Sequence, residues 1–196
     1  MKWFSCQLRD LSRENYEETY RSLPPEEQER VKGLRHPEDR MRTLAARRLA
    51  HQGVCGWCDV EEVTFARTEM GKLYPVGVNA EISVSHSGDL AACVVSCRPV
   101  GIDLERLRPV NLGIARKICD PEELRYLFGG APGEADFSYT EDPELIQRFF
   151  RLWTGKEACA KRQGTGIGSL RHQHPLQENL RYERCGDYLI CIAGEK

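Results

Sequence analysis

The sequence predicts an α+β protein built from two halves. Its 196 residues are long for one domain and short for two large ones, and two halves of roughly a hundred residues would fit. Strand-like alternation and helical periodicity occur in both halves. A turn at Cys97-Arg98-Pro99 separates them. We therefore expect an N-terminal lobe over residues 1–98 and a C-terminal lobe over residues 99–196.

The first half begins with a strand and continues with helices. Pro24-Pro25 followed by acidic residues is typical of a helix start. Apolar residues at helical spacing predict a longer helix that Gly53 ends. The expected elements are a strand over 2–8, helices over 15–22, 25–34 and 37–52, and strands over 60–67, 82–87 and 90–96.

The second half begins with an acidic strand. Asp120 followed by Pro121 is an N-cap with proline at the first helical position. The region between Gly129 and Asp142 is rich in Gly, Pro and acids, which indicates a mobile loop. The expected elements are a strand over 101–105, a helix to about residue 128, a long helix that starts after Asp142 and stops at Gly164, and a hairpin over 179–184 and 187–193.

Composition excludes several classes of protein. A net charge of −2 argues against general nucleic-acid binding, and no apolar run reaches membrane-spanning length. The N-terminus has no extended hydrophobic signal region. Nine cysteines scattered through apolar stretches read as reduced, buried thiols. We expect a cytoplasmic protein without nucleic-acid or membrane partners.

Two acidic segments point to chemistry. On the strand Gly101-Ile102-Asp103-Leu104-Glu105, both carboxylates lie on one face. On the long helix, Trp153, Glu157 and Lys161 follow at steps of four residues. If Glu157 faces the strand, three carboxylates meet beside an amine, which suits Mg²⁺ and a pyrophosphate. The alternative is an exposed strand end and a solvated helix edge.

These residues also carry a resemblance. Gly101-Ile102-Asp103-Leu104-Glu105, followed by Trp153-Thr154-Gly155-Lys156-Glu157-Ala158-Cys159-Ala160-Lys161, resembles the motif pair of 4'-phosphopantetheinyl transferases, in their Sfp-type, pseudo-dimeric branch. The resemblance covers roughly residues 23–168. It implies two similar α/β lobes related by pseudo-two-fold symmetry, and a monomer. It also implies Mg²⁺-dependent transfer of the 4'-phosphopantetheine arm of coenzyme A to a serine of an apo acyl or peptidyl carrier protein, releasing adenosine 3',5'-bisphosphate.

The resemblance assigns roles to individual residues. It implies that Asp103, Glu105 and Glu157 bind the metal, that Glu157 is the general base, and that Lys161 acts in catalysis by neutralising phosphate charge. Arginine and lysine suit the phosphates of coenzyme A. The implied coenzyme A contacts are Arg30, Arg42, Thr43, Lys72, Ser85, His86, Asp103, Lys156 and Lys161. The chain departs from the family pattern at Glu27, where relatives often carry a base, and mildly at Leu73 and Ser83.

Two other functions compete with this interpretation. One is a non-catalytic module that binds coenzyme A or a carrier protein, which would need the pockets but not the three carboxylates. The other rests on Cys55-Gly56-Trp57-Cys58, which resembles a redox or zinc motif. No second Cys/His pair at ligand spacing accompanies it, so we expect an ordinary loop with two thiols.

Overall fold

The computed structural model describes residues 1–195, with the backbone alone at residue 167. The last residue of the predicted C-terminal lobe, Lys196, lies outside the described residues. Helices and strands occur in both halves, which confirms the predicted α+β class. The first half contains β1 (Lys2–Gln7), α1 (Arg13–Ser22), α2 (Pro25–Lys32), α3 (Pro37–Cys58), β2 (Thr64–Arg67), β3 (Leu73–Val76), β4 (Glu81–Ser87) and β5 (Leu90–Ser96).

The second half repeats the sequence of one strand, a long helix and a final hairpin. Shorter elements lie between the first strand and the long helix. The second half contains β6 (Gly101–Arg106), β7 (Val110–Asn111), α4 (Ala115–Ile118), α5 (Pro121–Phe128), β8 (Tyr139–Thr140), α6 (Pro143–Gln163), β9 (Arg181–Cys185) and β10 (Tyr188–Ala193). None of the helices in the described residues is long and apolar enough to cross a membrane.

Each half has one three-stranded antiparallel sheet with the same connectivity. In the first sheet the order is β1-β5-β4, and in the second it is β6-β10-β9. In both, the first strand of the half pairs with the last one, and the last two strands form a hairpin. The long helix α3 packs on the first sheet, and α6 packs on the second. One hydrophobic cluster therefore lies between α3 and the first sheet, and others lie under α6. A further cluster is formed by strands β5, β6 and β10, so apolar side chains of the two sheets also pack against each other.

Serine side chains join the two sheets where strand β4 meets strand β6. The hydroxyl oxygens of alternate β4 residues accept hydrogen bonds from alternate backbone N–H groups of β6. Because residues two apart on a strand face the same side, a period-two run of serines can span the whole contact. The pairs are Ser83 with Ile102 at 3.1 Å, Ser85 with Leu104 at 3.3 Å, and Ser87 with Arg106 at 3.3 Å.

Helix α6 approaches strand β6 too closely for any side chain at residue 101. A Cβ atom on Gly101 would lie 1.9 Å from the carbonyl oxygen of Ala158 and 2.6 Å from the backbone nitrogen of Arg162. Both are backbone atoms of a packed helix, so they cannot move aside cheaply. The glycine that opens the acidic strand therefore sets the distance between β6 and α6.

The prediction for the end of helix α3 was wrong. The helix continues past Gly53 to Cys58, so Cys55 and Cys58 lie on its last turns and not in a loop. Gly53 faces the sheet, where a Cβ would lie 3.1 Å from the Val95 side chain. The need for glycine at this position therefore reflects the close packing of α3 on the sheet. The helix ends at Asp59, which has a left-handed backbone with φ of 54°.

Smaller differences concern strands and the acidic loop. The strand expected from residue 60 begins at Thr64, and the turn expected over 71–75 includes the start of β3. The segment expected to be a mobile loop holds a 3-10 turn over Glu134–Phe137 and the short strand β8. The remaining predicted elements occur close to their expected bounds.

Candidate functional site

The centre of the site is a contact between α6, β6 and β4. The Lys161 ammonium donates to Asp103 Oδ1 at 2.7 Å and to the Ser85 hydroxyl oxygen at 3.0 Å. The Ser85 hydroxyl in turn donates to Asp103 Oδ1 at 2.8 Å. Helix α6 can place Lys161 here because Gly101 allows it to lie directly on β6. Three of the predicted site residues are therefore in direct contact.

The second oxygen of Asp103 makes no hydrogen bond. Asp103 is 5% exposed, and its Oδ2 atom is buried without a partner. An unsatisfied buried carboxylate oxygen is costly, and a bound cation is one of the usual ways in which proteins satisfy it. This atom fits a metal ion bound by oxygen ligands at the predicted position.

Glu157 lies one helical turn before Lys161 and is 7% exposed. The pKa of the Glu157 carboxyl is raised to about 7, first by burial and then by the negative charge of Asp103, with a smaller contribution from Glu105 and an opposing one from Lys161. Glu157 thus lies close enough to both strand carboxylates for their charges to act on it. Negative charges outnumber positive charges in this region, which also fits a metal ion here.

Glu105 lies two residues further along β6 and is half-buried. The Ser87 hydroxyl donates to its Oε2 atom at 2.7 Å, and Arg108 lies 3.4 Å from the same atom. The structure therefore brings the three predicted metal ligands to one region. Their ligand atoms are not all within 4.8 Å of one another, so binding a shared ion would require the side chains to draw together.

Across residues 1–195, one group does bring three possible ligand atoms within 4.8 Å, and it consists of Asp120, Glu123 and His174. Asp120 caps α5 and lies 2.9 Å from His174 Nδ1. The buried Glu123 accepts a hydrogen bond from the Asp120 N–H and forms an ion pair with the Lys156 ammonium at 2.7 Å. An ammonium therefore already supplies the positive charge that this group needs.

The structure does not bring Lys156 to the predicted site. Its side chain is fully buried, and the ammonium donates to the carbonyl oxygens of Gln173 at 2.5 Å and Leu170 at 3.4 Å. Its ammonium also forms the ion pair with Glu123 at 2.7 Å. The placement does not support the expected contact of Lys156 with coenzyme A. It shows a residue that ties α6 to α5 and to the chain after residue 170.

Of the residues predicted to bind phosphate, His86 lies close enough to Lys161 and to Arg42 for both charges to act on it. Arg42 Nε donates to the Gly88 carbonyl at 2.7 Å, and its Nη1 atom lies 2.6 Å from Asp39 Oδ1. Desolvation, followed by the positive charges of Lys161 and Arg42, lowers the pKa of His86, although its surface is exposed to solvent. Thr43 lies next to Arg42 and donates to the Asp39 carbonyl at 2.8 Å.

Arg30 belongs to a separate group of charges around Glu27. Glu27 is 6% exposed and contacts three guanidinium groups, those of Arg30, Arg47 and Arg67. Burial raises the pKa of the Glu27 carboxyl, but the hydrogen bonds and charges of Arg67 and Arg47 outweigh it and lower the pKa to about 2. The group carries a net positive charge, so the acid that departs from the family pattern acts to hold arginines in place.

Lys72 lies at the other end of strand β4. Its ammonium lies 3.3 Å from Glu81 and donates to the Arg162 carbonyl at 3.4 Å. It lines a cavity of about 840 Å³, which also includes Tyr74, Cys97 and Gln163. The lining comes from both halves of the chain. Glu81 and His86 stand at opposite ends of β4, roughly 17 Å apart, so this cavity lies beside the acidic site and not over it.

Sequence reasoning missed several residues that shape the site. The alternation of serines at residues 83, 85 and 87 was a visible signal for the contact between β4 and β6. Any half-exposed strand, however, shows a similar alternation. Arg47 and Arg67 gave no local signal, because they meet Glu27 only through the tertiary fold. Glu123 lies in the first turn of α5, and its ion pair with Lys156 depends on the packing of α5 against α6.

Comparisons with known proteins match both halves of the chain. The family model described as 4'-phosphopantetheinyl transferase, N-terminal, matches residues 10–98, and the model for the 4'-phosphopantetheinyl transferase superfamily matches residues 99–182. The 4'-phosphopantetheinyl transferase Sfp of Bacillus subtilis is 29% identical over 162 residues, which are 81% of this chain and 68% of that protein. The 4'-phosphopantetheinyl transferase psf-1 of Bacillus pumilus is 30% identical over 176 residues, which are 85% of this chain and 70% of that protein. The 4'-phosphopantetheinyl transferase HetI of Nostoc is 33% identical over 158 residues, which are 76% of this chain and 62% of that protein.

Proposed function

This chain belongs to the 4'-phosphopantetheinyl transferase superfamily, and from that premise we propose that it transfers the 4'-phosphopantetheine arm of coenzyme A to a serine of an apo carrier protein. The products are the loaded carrier and adenosine 3',5'-bisphosphate. The observation that carries the proposal is the contact of Lys161 with Asp103 and Ser85, beside a buried carboxylate oxygen that has no partner.

We propose that Asp103, Glu105 and Glu157 hold a divalent ion, taken to be Mg²⁺. All three offer carboxylate oxygens, the ligand type that this ion prefers. The unpartnered oxygen of Asp103 and the raised pKa of Glu157 support the assignment, because both reflect missing positive charge. When bound, Mg²⁺ would offset negative charge on the pyrophosphate oxygens in the transition state.

The protein's own groups account for proton transfer and charge neutralisation. The carrier serine oxygen bonds to the phosphorus that bears the pantetheine arm, and the Glu157 carboxylate takes the serine proton. The bond from that phosphorus to the bridging oxygen breaks, and its electron pair leaves with adenosine 3',5'-bisphosphate. The Lys161 ammonium, held by Asp103 and Ser85, pairs with the charge that develops on the departing phosphate.

The remaining phosphate contacts are assigned to the positively charged surface of the first half. His86 lies within electrostatic reach of both Arg42 and Lys161, which supports a shared anion. Thr43 stands beside Arg42 on α3, and Arg30 is more than half exposed on α2. Lys72 faces the 840 Å³ cavity, where it is placed to reach a more distant part of coenzyme A.

We also propose that the two halves are lobes, over residues 1–98 and 99–196, related by pseudo-two-fold symmetry. The matching strand orders β1-β5-β4 and β6-β10-β9, each covered by one long helix, support this. The three hydrogen bonds from β6 to the serines of β4 join the halves within one chain, which supports action as a monomer. The nine free thiols support the cytoplasm as its location.

The proposal is tested by following the small product. The protein is incubated with coenzyme A, Mg²⁺ and an apo carrier protein, and adenosine 3',5'-bisphosphate is measured by chromatography. We expect product only when both the carrier and the divalent ion are present, and loss of product with a chelator. A module that only binds coenzyme A would bind the ligand but release no adenosine 3',5'-bisphosphate under any of these conditions.

A further inference from the structure

A tyrosine of the second half reaches the hairpin turn that joins strands β4 and β5. Tyr188 is the first residue of β10 and is 7% exposed. Its hydroxyl oxygen accepts a hydrogen bond from the Asp89 N–H at 2.9 Å. Strand β4 ends at Ser87 and β5 begins at Leu90, so Gly88 and Asp89 form the whole turn. The two halves of the chain therefore also meet at this turn.

The turn is shaped to receive the tyrosine hydroxyl. Gly88 has a left-handed backbone with φ of 52°, which glycine adopts at little cost. A Cβ atom at this residue would lie 2.6 Å from the Tyr188 hydroxyl oxygen. A larger residue at position 88 would therefore displace the hydroxyl from the Asp89 N–H. Glycine at this position serves both the backbone of the turn and the contact between the halves.

Arg42 holds the same peptide unit from its other side. The Gly88 carbonyl, which shares a peptide plane with the Asp89 N–H, accepts a hydrogen bond from Arg42 Nε at 2.7 Å. In a trans peptide the carbonyl and the N–H point in opposite directions, so Tyr188 and Arg42 hold one rigid plane between them. The two-residue turn types differ in the orientation of this central peptide. A hydrogen bond on each side therefore fixes which orientation it takes.

Arg42 is held at two points and keeps donors for a ligand. Its Nη1 atom lies 2.6 Å from Asp39 Oδ1 on the preceding turn of α3. Within the part of the chain that the structure describes, the Arg42 side chain makes these two hydrogen bonds, which leaves three of its five N–H donors for an anion. A side chain that is already ordered loses less freedom on binding, so its contacts contribute more to affinity.

We propose that Tyr188 is a positioning residue for coenzyme A binding, because it orients the peptide between Gly88 and Asp89, whose carbonyl orients Arg42. The inference rests on the proposed function, in which Arg42 contacts a phosphate of coenzyme A. Tyr188 acts through the backbone of the turn and not on the ligand itself. It belongs to the second sheet, whose strand β6 carries two of the proposed metal ligands. The half that holds these ligands thus aligns the arginine on α3.

The test compares Tyr188→Phe with the unaltered protein and with Tyr182→Phe. Phenylalanine keeps the buried ring and removes only the hydroxyl. Tyr182 gives a matched control, because its hydroxyl donates to the Arg151 carbonyl at 3.0 Å and not to the hairpin turn. Calorimetry measures coenzyme A binding without a carrier, and transfer assays give KM and kcat. We expect Tyr188→Phe to weaken binding and raise the KM for coenzyme A roughly three- to tenfold, with kcat unchanged. Tyr182→Phe should change neither binding nor KM.

Dependence on Arg42 separates positioning from a general loss of stability. In an Arg42→Ala background the Tyr188 hydroxyl has no arginine to orient, so Tyr188→Phe should change coenzyme A affinity by less than about twofold. A further measurement needs no ligand. The Arg42 Nε–H resonance, assigned by its loss in Arg42→Ala, should exchange with water faster in Tyr188→Phe than in the unaltered protein.

Three results would overturn the inference: an unchanged affinity in Tyr188→Phe, an equal loss of affinity with and without Arg42, or an unchanged exchange rate of the Arg42 Nε–H. The proposed function fails separately, if the unaltered protein binds coenzyme A but loads no carrier. The binding and exchange measurements decide the role of Tyr188 in that case as well. An unaltered protein that binds no coenzyme A would contradict both proposals.

Discussion

The Lys161 ammonium lies 2.7 Å from Asp103 Oδ1, so residues 58 positions apart in the chain form the ion pair at the centre of the site. Lysine is held by one oxygen of the carboxylate, and the other oxygen stays buried without a partner. One aspartate can therefore fix the amine and offer a ligand atom at the same time. This double role makes Asp103 the residue on which the proposed chemistry depends most.

Asp103→Asn should keep the fold and lose most of the transfer rate. The amide can still accept from Lys161 and Ser85, but it removes the negative charge that the metal needs. We expect carrier loading to fall roughly 10²–10³-fold, the usual effect of removing one preorganised electrostatic group. Loading is measured by the mass of the carrier. Asp187→Asn, the same change at an exposed residue, is the control. Loading by Asp103→Asn at the rate of the unaltered protein would contradict the assignment.

Gly101→Ala should destabilise the protein through a backbone clash. The new Cβ would lie 1.9 Å from the Ala158 carbonyl oxygen, so α6 must move away from β6. We expect a loss of at least about 3 kcal/mol in the free energy of unfolding, measured by denaturant titration. Gly56→Ala is the matched control, because its Cβ meets nothing within 4 Å and helix propensity then favours alanine by up to about 1 kcal/mol. Equal stability of the two variants would show that the close approach is not real.

Lys156→Met should lower the free energy of unfolding because it leaves a buried carboxylate without its positively charged partner. Glu123 is 1% exposed and would lose its ion pair, a loss of about 3–5 kcal/mol for buried pairs. The double variant Lys156→Met, Glu123→Gln removes the stranded charge and keeps an oxygen to accept from the Asp120 N–H. Thermal and denaturant unfolding should therefore show the double variant to be more stable than Lys156→Met alone. The reverse order would mean that Glu123 is not buried against Lys156.

The sequence predicted the parts of this account that depend on local pattern. The strand at Gly101, the α5 start at Asp120 and the α6 end at Gly164 follow from alternation, capping and a left-handed glycine. The meeting of Asp103 with Lys161 followed from the resemblance, because a motif pair carries tertiary information that periodicity does not. The place of Lys156 could not be read from the same motif. It depends on α5 packing against α6.

Glu27→Gln should change stability in a way that depends on pH. The pKa of Glu27 is about 2 in the folded protein and roughly 4.3 in an unfolded chain. The ionised Glu27 carboxylate therefore contributes its full stabilisation above a pH of about 4.3, its pKa in the unfolded chain. This contribution is lost as the pH falls from about 4.3 to about 2. At neutral pH the variant should be less stable by on the order of 3 kcal/mol, and the difference should shrink towards pH 2.

Unfolding by denaturant at several pH values measures this difference. Glu26→Gln is the control, because Glu26 is an exposed acid in the same first turn of α2 and should change stability by less than about 1 kcal/mol. A difference between Glu27→Gln and the unaltered protein that stays constant from pH 7 to pH 2 would show that Arg47 and Arg67 do not hold a charged Glu27.

The most direct test of the central claim is the mass of apo carrier proteins after incubation with this protein, coenzyme A and Mg²⁺. The panel should include carriers from fatty-acid, polyketide and peptide synthesis, and the protein should be compared with its Glu157→Gln variant. The account predicts that at least one carrier gains the mass of one phosphopantetheine group with the unaltered protein and none with the variant. Carriers that all keep their mass, or a gain that persists with Glu157→Gln, would contradict it.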